Sequence, residues 1–380
     1  MSKRIDRIDL PSMSPGTDRY LKVHRYGEAG ARPKAYLHAS LHADETPGMI
    51  AAHHLLRYLD EADRRGEITG EIIVVPVANP IGLNQVINRT HLGRYELRSG
   101  GNFNRHWPDL FTGLVETTAG KLGSDPASNI AVVRKAIGAA LDKINADSEF
   151  PALRLALAKL AYDADIVLDL HCDDDAEMHL YLIPENWPDG RDLAAFIGAE
   201  AVLLAADSGG ASFDETFSTP WVKLQAAVGP GIPIPAACLS GTVEFRGQHD
   251  VFDEIGITDA TALFSFLQHR GLIGGTVPAV PKPRCEATML DACDVVRTPV
   301  PGVLAYKVAL GQQVRAGDVI AEVIDPLADD QSLARTQLRC QTDGRVLSRK
   351  LMKLIASGEA VCKVVGTRTL AYRQGLLLTD

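Results

Sequence analysis

Apolar positions recur along this chain with two different spacings. Residues 21–41 carry short apolar runs that end in Lys34-Ala-Tyr-Leu-His-Ala39, which predicts a strand. Helix signals follow at once. Thr46 can cap, Pro47 suits the first helical position, and Met49, Ile50, His53, Leu55, Leu56 and Leu59 recur at helical spacing through Asp60. The β-branched run over 71–78 lies between Gly70 and Asn79-Pro80 and predicts a buried strand closed by a turn. One-sided apolar patterns predict helices over 129–147, 152–163, 191–205 and 258–270, and shorter runs predict strands over 165–171, 178–183 and 241–245. Two stretches show neither period: 84–110, polar and rich in arginine, and 208–236, rich in Gly, Ser and Pro. Strands alternating with helices predict an α/β fold, a sheet with helices on both faces.

The pattern changes after residue 275. A proline-rich stretch, 276–283, reads as a linker between a large domain over 1–275 and a smaller one over 284–380. In the smaller one the helical period fades and a repeat appears. Pro301-Gly302-Val-Leu, Gly311, Val314 and Gly317-Asp-Val-Ile return as Asp343-Gly344-Arg-Val, Ile355, Gly358 and Val361. This two-fold repeat resembles the biotinyl/lipoyl-carrier type of domain, a small all-β barrel-sandwich of two similar halves. Such carriers need a modifiable lysine at the junction of the halves. Residues 326–342 contain none, so a swinging-arm role is not expected.

Bulk properties narrow the class. At 380 residues, 46% hydrophobic and 23% charged, the chain can bury a large core and is not of disordered composition. A formal net charge of −9 gives no reason to bind nucleic acid. The N-terminal residues lack the apolar core of a signal peptide, and no stretch is long and apolar enough to span a membrane. A cytoplasmic protein is expected. The six cysteines are scattered without metal or disulfide spacing and read as reduced, mostly buried thiols.

Chemistry enters at Leu37-His-Ala-Ser-Leu-His42-Ala-Asp-Glu45, where a strand meets a helix. His42 and Glu45 have metal-ligand spacing, and His171, at the end of the 165–171 strand, can supply a third donor. That is the number a catalytic zinc takes from protein while keeping a position open for water. Glu244, an acid on an apolar strand, is the candidate base; its alternative is a salt bridge with Arg246, two residues on and on the same strand face. In the arginine-rich stretch Asn104 and Arg105 can bind a carboxylate, and Arg98 an oxyanion or second carboxylate. Arg246 is a further substrate-binding candidate. Asp169 can orient His171, or make a structural hydrogen bond. His38 reads as a strand residue near the site. Asp169-x-His171-x-Asp173 also resembles one manganese motif of ureohydrolases, whose second aspartate-rich motif is missing. The acidic run Asp173-Asp-Asp175 is either a solvated loop or a preference for a cationic leaving group such as a diamino acid.

His42-Ala-Asp-Glu45, Asn104-Arg105, Asp169-Leu-His171 and Thr242-Val-Glu244 fall in the order and approximate spacing of the zinc-carboxypeptidase superfamily. Within it the chain resembles the succinylglutamate desuccinylase/aspartoacylase branch, which also carries a C-terminal β domain. The resemblance implies one zinc ion per chain on His42, Glu45 and His171, a substrate carboxylate on Asn104 and Arg105, and Glu244 as general base. The expected activity is a zinc-dependent amidohydrolase that removes the acyl group from a small N-acylated carboxylate. A zinc carboxypeptidase acting on peptides is the alternative, and a homo-oligomer is left open. Two features depart from the family pattern. Ala43 stands where a glycine is usual, and the spacing from Arg98 to Asn104-Arg105 differs, which puts the role of Arg98 in question.

Overall fold

The computed structural model describes residues 2–378. Nine strands form the main sheet: β1 (Arg4–Asp9), β2 (Tyr20–Tyr26), β3 (Lys34–Ala39), β4 (Glu71–Val75), β5 (Ile166–Asp173), β6 (His179–Leu182), β7 (Ala201–Leu204), β8 (Leu239–Gly247) and β9 (Ala287–Met289). Their order is β1-β2-β4-β3-β5-β8-β6-β7-β9. The centre, β4-β3-β5-β8, is parallel; β1 and β2 are antiparallel additions at one edge, and β6 runs antiparallel to β8. Every residue of β3 and β4 is buried, as a central parallel strand covered on both faces requires.

Helices cover the two faces. On one lie α1 (Pro47–Arg64), α4 (Trp187–Ile197) and α6 (Asp253–His269), packed on Leu37, Leu168 and Val243. On the other lie α2 (Pro126–Leu141), α3 (Glu149–Ala161) and α5 (Phe213–Val228), packed on Tyr36, Ile73 and Val167. No helix among the described residues is long and apolar enough to cross a membrane.

Two local expectations are overturned. The helix expected over 191–205 ends at Ile197, where Gly198 takes the left-handed conformation, and the following Ala-Val-Leu-Leu is strand β7. Those residues have good helix propensity, but all four are buried between β6 and β9, and pairing decides. The Gly/Ser/Pro-rich stretch 208–236 contains the 16-residue helix α5, with Pro220 inside it. Its buried Phe213, Phe217, Trp221 and Leu224 recur at helical spacing, a signal hidden by the flanking turn residues.

Beyond β9 the chain forms two small β layers. One contains β10 (Cys293–Arg297), β14 (Gly344–Arg349), β15 (Ala360–Val365) and the pair Gln313–Val314; the other contains β11 (Gly302–Tyr306), β12 (Val319–Ile324), β13 (Arg335–Arg339) and the pair Leu354–Ile355. The repeated glycines Gly302 and Gly344 open β11 and β14, so the sequence repeat is a repeat of strands. The two layers share a core of Leu304, Ile320, Val323, Val346, Val361 and Val364. The β region is joined to the large one by backbone pairing. Ser348 and Arg349 of β14 pair with Ala176 and Asp175, just after β5.

Candidate active site

The central parallel strands deliver the site at their carboxyl edge. At the end of β3 Ser40 takes a left-handed conformation, φ 65°, which turns the chain sharply at a buried, non-glycine position. The turn carries His42 and Glu45 across the edge before α1 begins at Pro47. Thr46 makes no side-chain cap bond. Close backbone contacts hold the turn instead. A Cβ on Gly48 would lie 2.7 Å from the Leu170 carbonyl oxygen, and one on Gly93 would lie 2.3 Å from the Asp44 nitrogen. Ala43 donates its amide to the Gly93 carbonyl at 3.0 Å, so the extra methyl at position 43 is seated against glycines.

His42, Glu45 and His171 converge. Each offers one ligand atom, these lie within 4.8 Å of one another, and all three residues are buried. His42 Nδ1 stands 2.9 Å from Glu45 Oε1, and His171 Nδ1 stands 2.7 Å from Glu45 Oε2. The opposite ring nitrogens are held from outside: His42 Nε2 by Asn102 Oδ1 at 2.9 Å and His171 Nε2 by Asp169 Oδ2 at 2.8 Å. Donating each Nε2–H outward leaves the two Nδ1 atoms directed at the carboxylate, where a cation can replace a proton. Outer acceptors orient metal-binding imidazoles in the same way, so this donor set fits a metal ion.

The electrostatics agree. Burial and the Arg94 guanidinium pull His42 down to about 4, leaving it neutral. Burial also opposes charge on His171, but Asp169 and Glu45 hold its proton well above the ordinary range. Glu45 is kept well below the usual carboxylate range by both imidazoles, against its burial. A cation between these three groups would take the place of that proton. Among the described residues this is the one such group.

Asp169 does more than orient one ligand. Its Oδ1 pairs with His38 Nε2 at 2.7 Å, and His38 Nδ1 lies 2.9 Å from the Tyr36 hydroxyl. His38 is thus a buried support behind the cluster. Asp173 turns to Lys363 of β15, so Asp169 and Asp173 do not join His171 as a manganese-type set. Cys172 is buried, its amide donates to Glu45 Oε2 at 3.1 Å, and burial together with the Glu45 charge raises its thiol, which stays protonated.

Glu244 of β8 is the direct register partner of His171 of β5, so the two side chains share a sheet face. Among the described residues its Oε2 has no hydrogen-bond partner, and the side chain lines the cavity. Burial and the Glu45 carboxylate raise it above the usual range, the direction expected of a group that exchanges protons near neutrality. The alternative role for Glu244, a salt bridge with Arg246 on one face, does not form. A bulge between Glu244 and Gly247 and a φ of 59° at Arg246 break the alternation. Arg246 instead forms a two-pronged ion pair with Asp259 of α6, 3.1 Å on its longer arm.

The cavity above these groups measures ≈ 520 Å³. Asn104 and Arg105 line it; Arg98 and Arg246 do not. Arg98 is exposed and its nearest hydrogen-bond partner is the Met13 sulfur at 3.4 Å. The arginine of the 84–110 stretch that reaches the His42–Glu45–His171 cluster is Arg94, 3.0 Å from Glu45 Oε1. That stretch also supplies Asn102. Both lie among polar residues whose reach only the folded loop reveals, although Asn102 and Asn104 alternate about the buried Phe103.

The cavity is roofed by the β region, through Leu290, Arg297, Lys350, Lys363, Arg373 and Leu377. The acidic run beneath it belongs to the seam. Asp173 pairs with Lys363 at 2.5 Å, Asp174 accepts the Leu351 amide at 3.2 Å, and Asp175 pairs with Arg349 at 2.7 Å. Glu177 adds a fork to Arg345. The run is thus tied into the seam, with Asp173 and Asp174 also forming part of the cavity wall.

Residues 31–227 match the family model described as the succinylglutamate desuccinylase/aspartoacylase catalytic domain. The chain is 26% identical over 349 residues to the N-alpha-acetyl-L-2,4-diaminobutyric acid deacetylase of Halomonas elongata, covering 88% of this chain and 82% of that protein. Among solved structures, a succinylglutamate desuccinylase/aspartoacylase family protein from Shewanella amazonensis superposes with a TM-score of 0.81 at 24% identity, covering 95% of this chain and 98% of that one. The product-bound ectoine utilization protein EutE (DoeB) from Ruegeria pomeroyi superposes with a TM-score of 0.65 at 19% identity, covering 97% and 96%. These structures share the fold, C-terminal β layers included.

Proposed function

The chain belongs to the succinylglutamate desuccinylase/aspartoacylase family, and on that premise we propose that it is a zinc-dependent hydrolase that removes the acyl group from an N-acylated amino acid. The observation that carries this reading is the alignment of Glu244 with His171 beside the His42–Glu45–His171 cluster. It puts a carboxylate with no hydrogen-bond partner on Oε2 among the described residues next to three converging ligand atoms at the floor of a cavity. The deacetylase relative from Halomonas elongata supports the substrate class.

In this reading His42, Glu45 and His171 hold the zinc ion, which when bound polarises the amide carbonyl and lowers the pKa of the attacking water. Glu244 takes the proton from that water and passes it to the leaving nitrogen. Arg94, on the cavity side of Glu45, faces the charge that develops on the carbonyl oxygen, and Asn104 with Arg105 holds the substrate carboxylate. Residues 1–275 carry this chemistry. The β region beyond residue 289 roofs the cavity, which favours a compact acylated amino acid over the open cleft a peptide would need.

The test is release of a primary amine from N-acetyl amino acids by the zinc-loaded protein, with metal content measured in parallel. About one zinc per chain, loss of hydrolysis on chelation and recovery with added zinc are expected. A metal-replete protein that hydrolyses no N-acyl amino acid would refute the reading.

A further inference from the structure

We propose that the cavity carries an apolar pocket for the acyl group, so that the acid cleaved from the amino acid is an aliphatic one several carbons longer than acetate. This rests on the deacylase reading above and assigns the acyl end of the same cavity.

One face of the main sheet is covered in two parts. Over β3, β4 and β5 it carries α2, α3 and α5, packed on Tyr36, Ile73 and Val167. Over β6 and β7 the same face presents Tyr181, Ala201 and Leu203, which pack on Leu290, Cys293 and Leu347 of the β region. Strand register links the two parts. Glu244 lies opposite both His171 and His179, Thr242 lies opposite both Asp169 and Tyr181, and Tyr181 lies opposite Leu203. Opposed residues share a face, so Glu244 stands between the His42–Glu45–His171 cluster and an apolar floor two strands wide.

The cavity changes character across Glu244. On the helix side, Asn104 Nδ2 donates to Asp169 Oδ2 at 3.2 Å, Asn104 Oδ1 accepts the Phe213 amide at 2.8 Å, and the Arg105 side chain packs on Gly210. On the other side the lining is Tyr181, Leu203 and Ala205 from the sheet, with Leu290, Leu377 and Leu378 from beyond it. Leu377 and Leu378 pack on the same apolar cluster, and the Leu377 amide donates to the Ser208 carbonyl at 2.9 Å. The C-terminal segment therefore closes this end. A substrate held by its carboxylate at Asn104 and Arg105, on one side of the reacting carbonyl, extends its acyl chain over the apolar floor on the other.

Volume and charge agree with that occupant. The ≈ 520 Å³ of the cavity holds about 17 groups of about 30 Å³, the share of one water, roughly twice the heavy atoms of an N-acetyl amino acid with a small side chain. Lys363, which lines this half, is paired with Asp173 at 2.5 Å. Arg373 donates to the Leu377 carbonyl at 2.8 Å, and its Nε has no partner among the described residues. A carboxylate-bearing acyl group that reaches Arg373 is thus the competing occupant.

The experiment compares N-hexanoyl-, N-acetyl- and N-succinyl-L-alanine on the zinc-loaded protein. The hexanoyl compound is expected to show a kcat/KM at least about tenfold above the other two, because each added methylene is buried. Leu377→Trp fills this end from the C-terminal segment and should remove that preference, mainly through KM. Calorimetric binding of hexanoate, acetate and succinate to the unaltered protein needs neither variant nor turnover and should favour hexanoate by a similar factor. Acetyl or succinyl compounds cleaved as well as the hexanoyl one, with acetate or succinate bound as tightly as hexanoate, would overturn the pocket. Selective binding of hexanoate by a protein that hydrolyses no N-acyl amino acid would keep the pocket and refute the deacylase reading.

Discussion

Glu244 lies directly opposite His171 in the parallel pairing of β8 with β5. Adjacent strands are about 4.8 Å apart, so strand pairing fixes the proposed proton acceptor one strand away from an imidazole of the candidate metal cluster. Replacing the side chain therefore leaves the position of the cluster unchanged. Glu244→Gln should retain about one zinc per chain and lose about three orders of magnitude or more in kcat. A zinc-loaded Gln protein within tenfold of the parent would remove Glu244 from the mechanism.

Asp169 holds His171 Nε2 and is itself held by His38. Asp169→Asn weakens the acceptor that orients the imidazole, so zinc affinity should fall about 10- to 100-fold. Competition with a chromogenic chelator measures this directly. Unchanged affinity would show that the pair is structural only.

Arg94 and Arg98 occupy the same polar stretch but different surroundings. Arg94→Met should lower kcat/KM by about 100-fold or more, because a charged donor is lost beside Glu45. Arg98→Ala, at an exposed position away from the cavity, should stay within about twofold. The reverse ranking would restore Arg98 to the site.

Lys363 ties the β region to Asp173 across the roof of the cavity. Lys363→Met leaves a half-buried carboxylate at the cavity wall without its cation and should destabilise the protein by about 1–2 kcal/mol at neutral pH. Asp173 is held below the usual range by Lys363, against its burial. A depressed carboxylate contributes stability above its unfolded value and loses it as pH falls through the folded one. The difference between parent and variant should therefore persist from neutral pH down to about 4 and shrink only below that. Denaturation curves at several pH values test this, and a difference that vanishes already near pH 6 would contradict the pairing.

Legibility followed the range over which each feature is determined. His42 and Glu45 were readable because three residues in one turn decide their proximity, and β3, β4 and β5 because their apolar runs are continuous. The repeat with its empty lysine position was equally plain. The 201–204 segment was misread because Ala-Val-Leu-Leu suits a helix in isolation and becomes a strand only between β6 and β9. Arg246 leaves the face of Glu244 because alternation along a strand fails at a bulge, which pairing creates.

The sequence by itself determined the chemical inventory: two imidazoles and a carboxylate at ligand spacing, an acid on an apolar strand, and a loop with more arginine than packing needs. Only the tertiary structure decided which of those charges meet. Long side chains reach several ångströms in any direction, so Arg94 rather than Arg98 faces the ligands, and the acids at 173–175 face Lys363, Leu351 and Arg349.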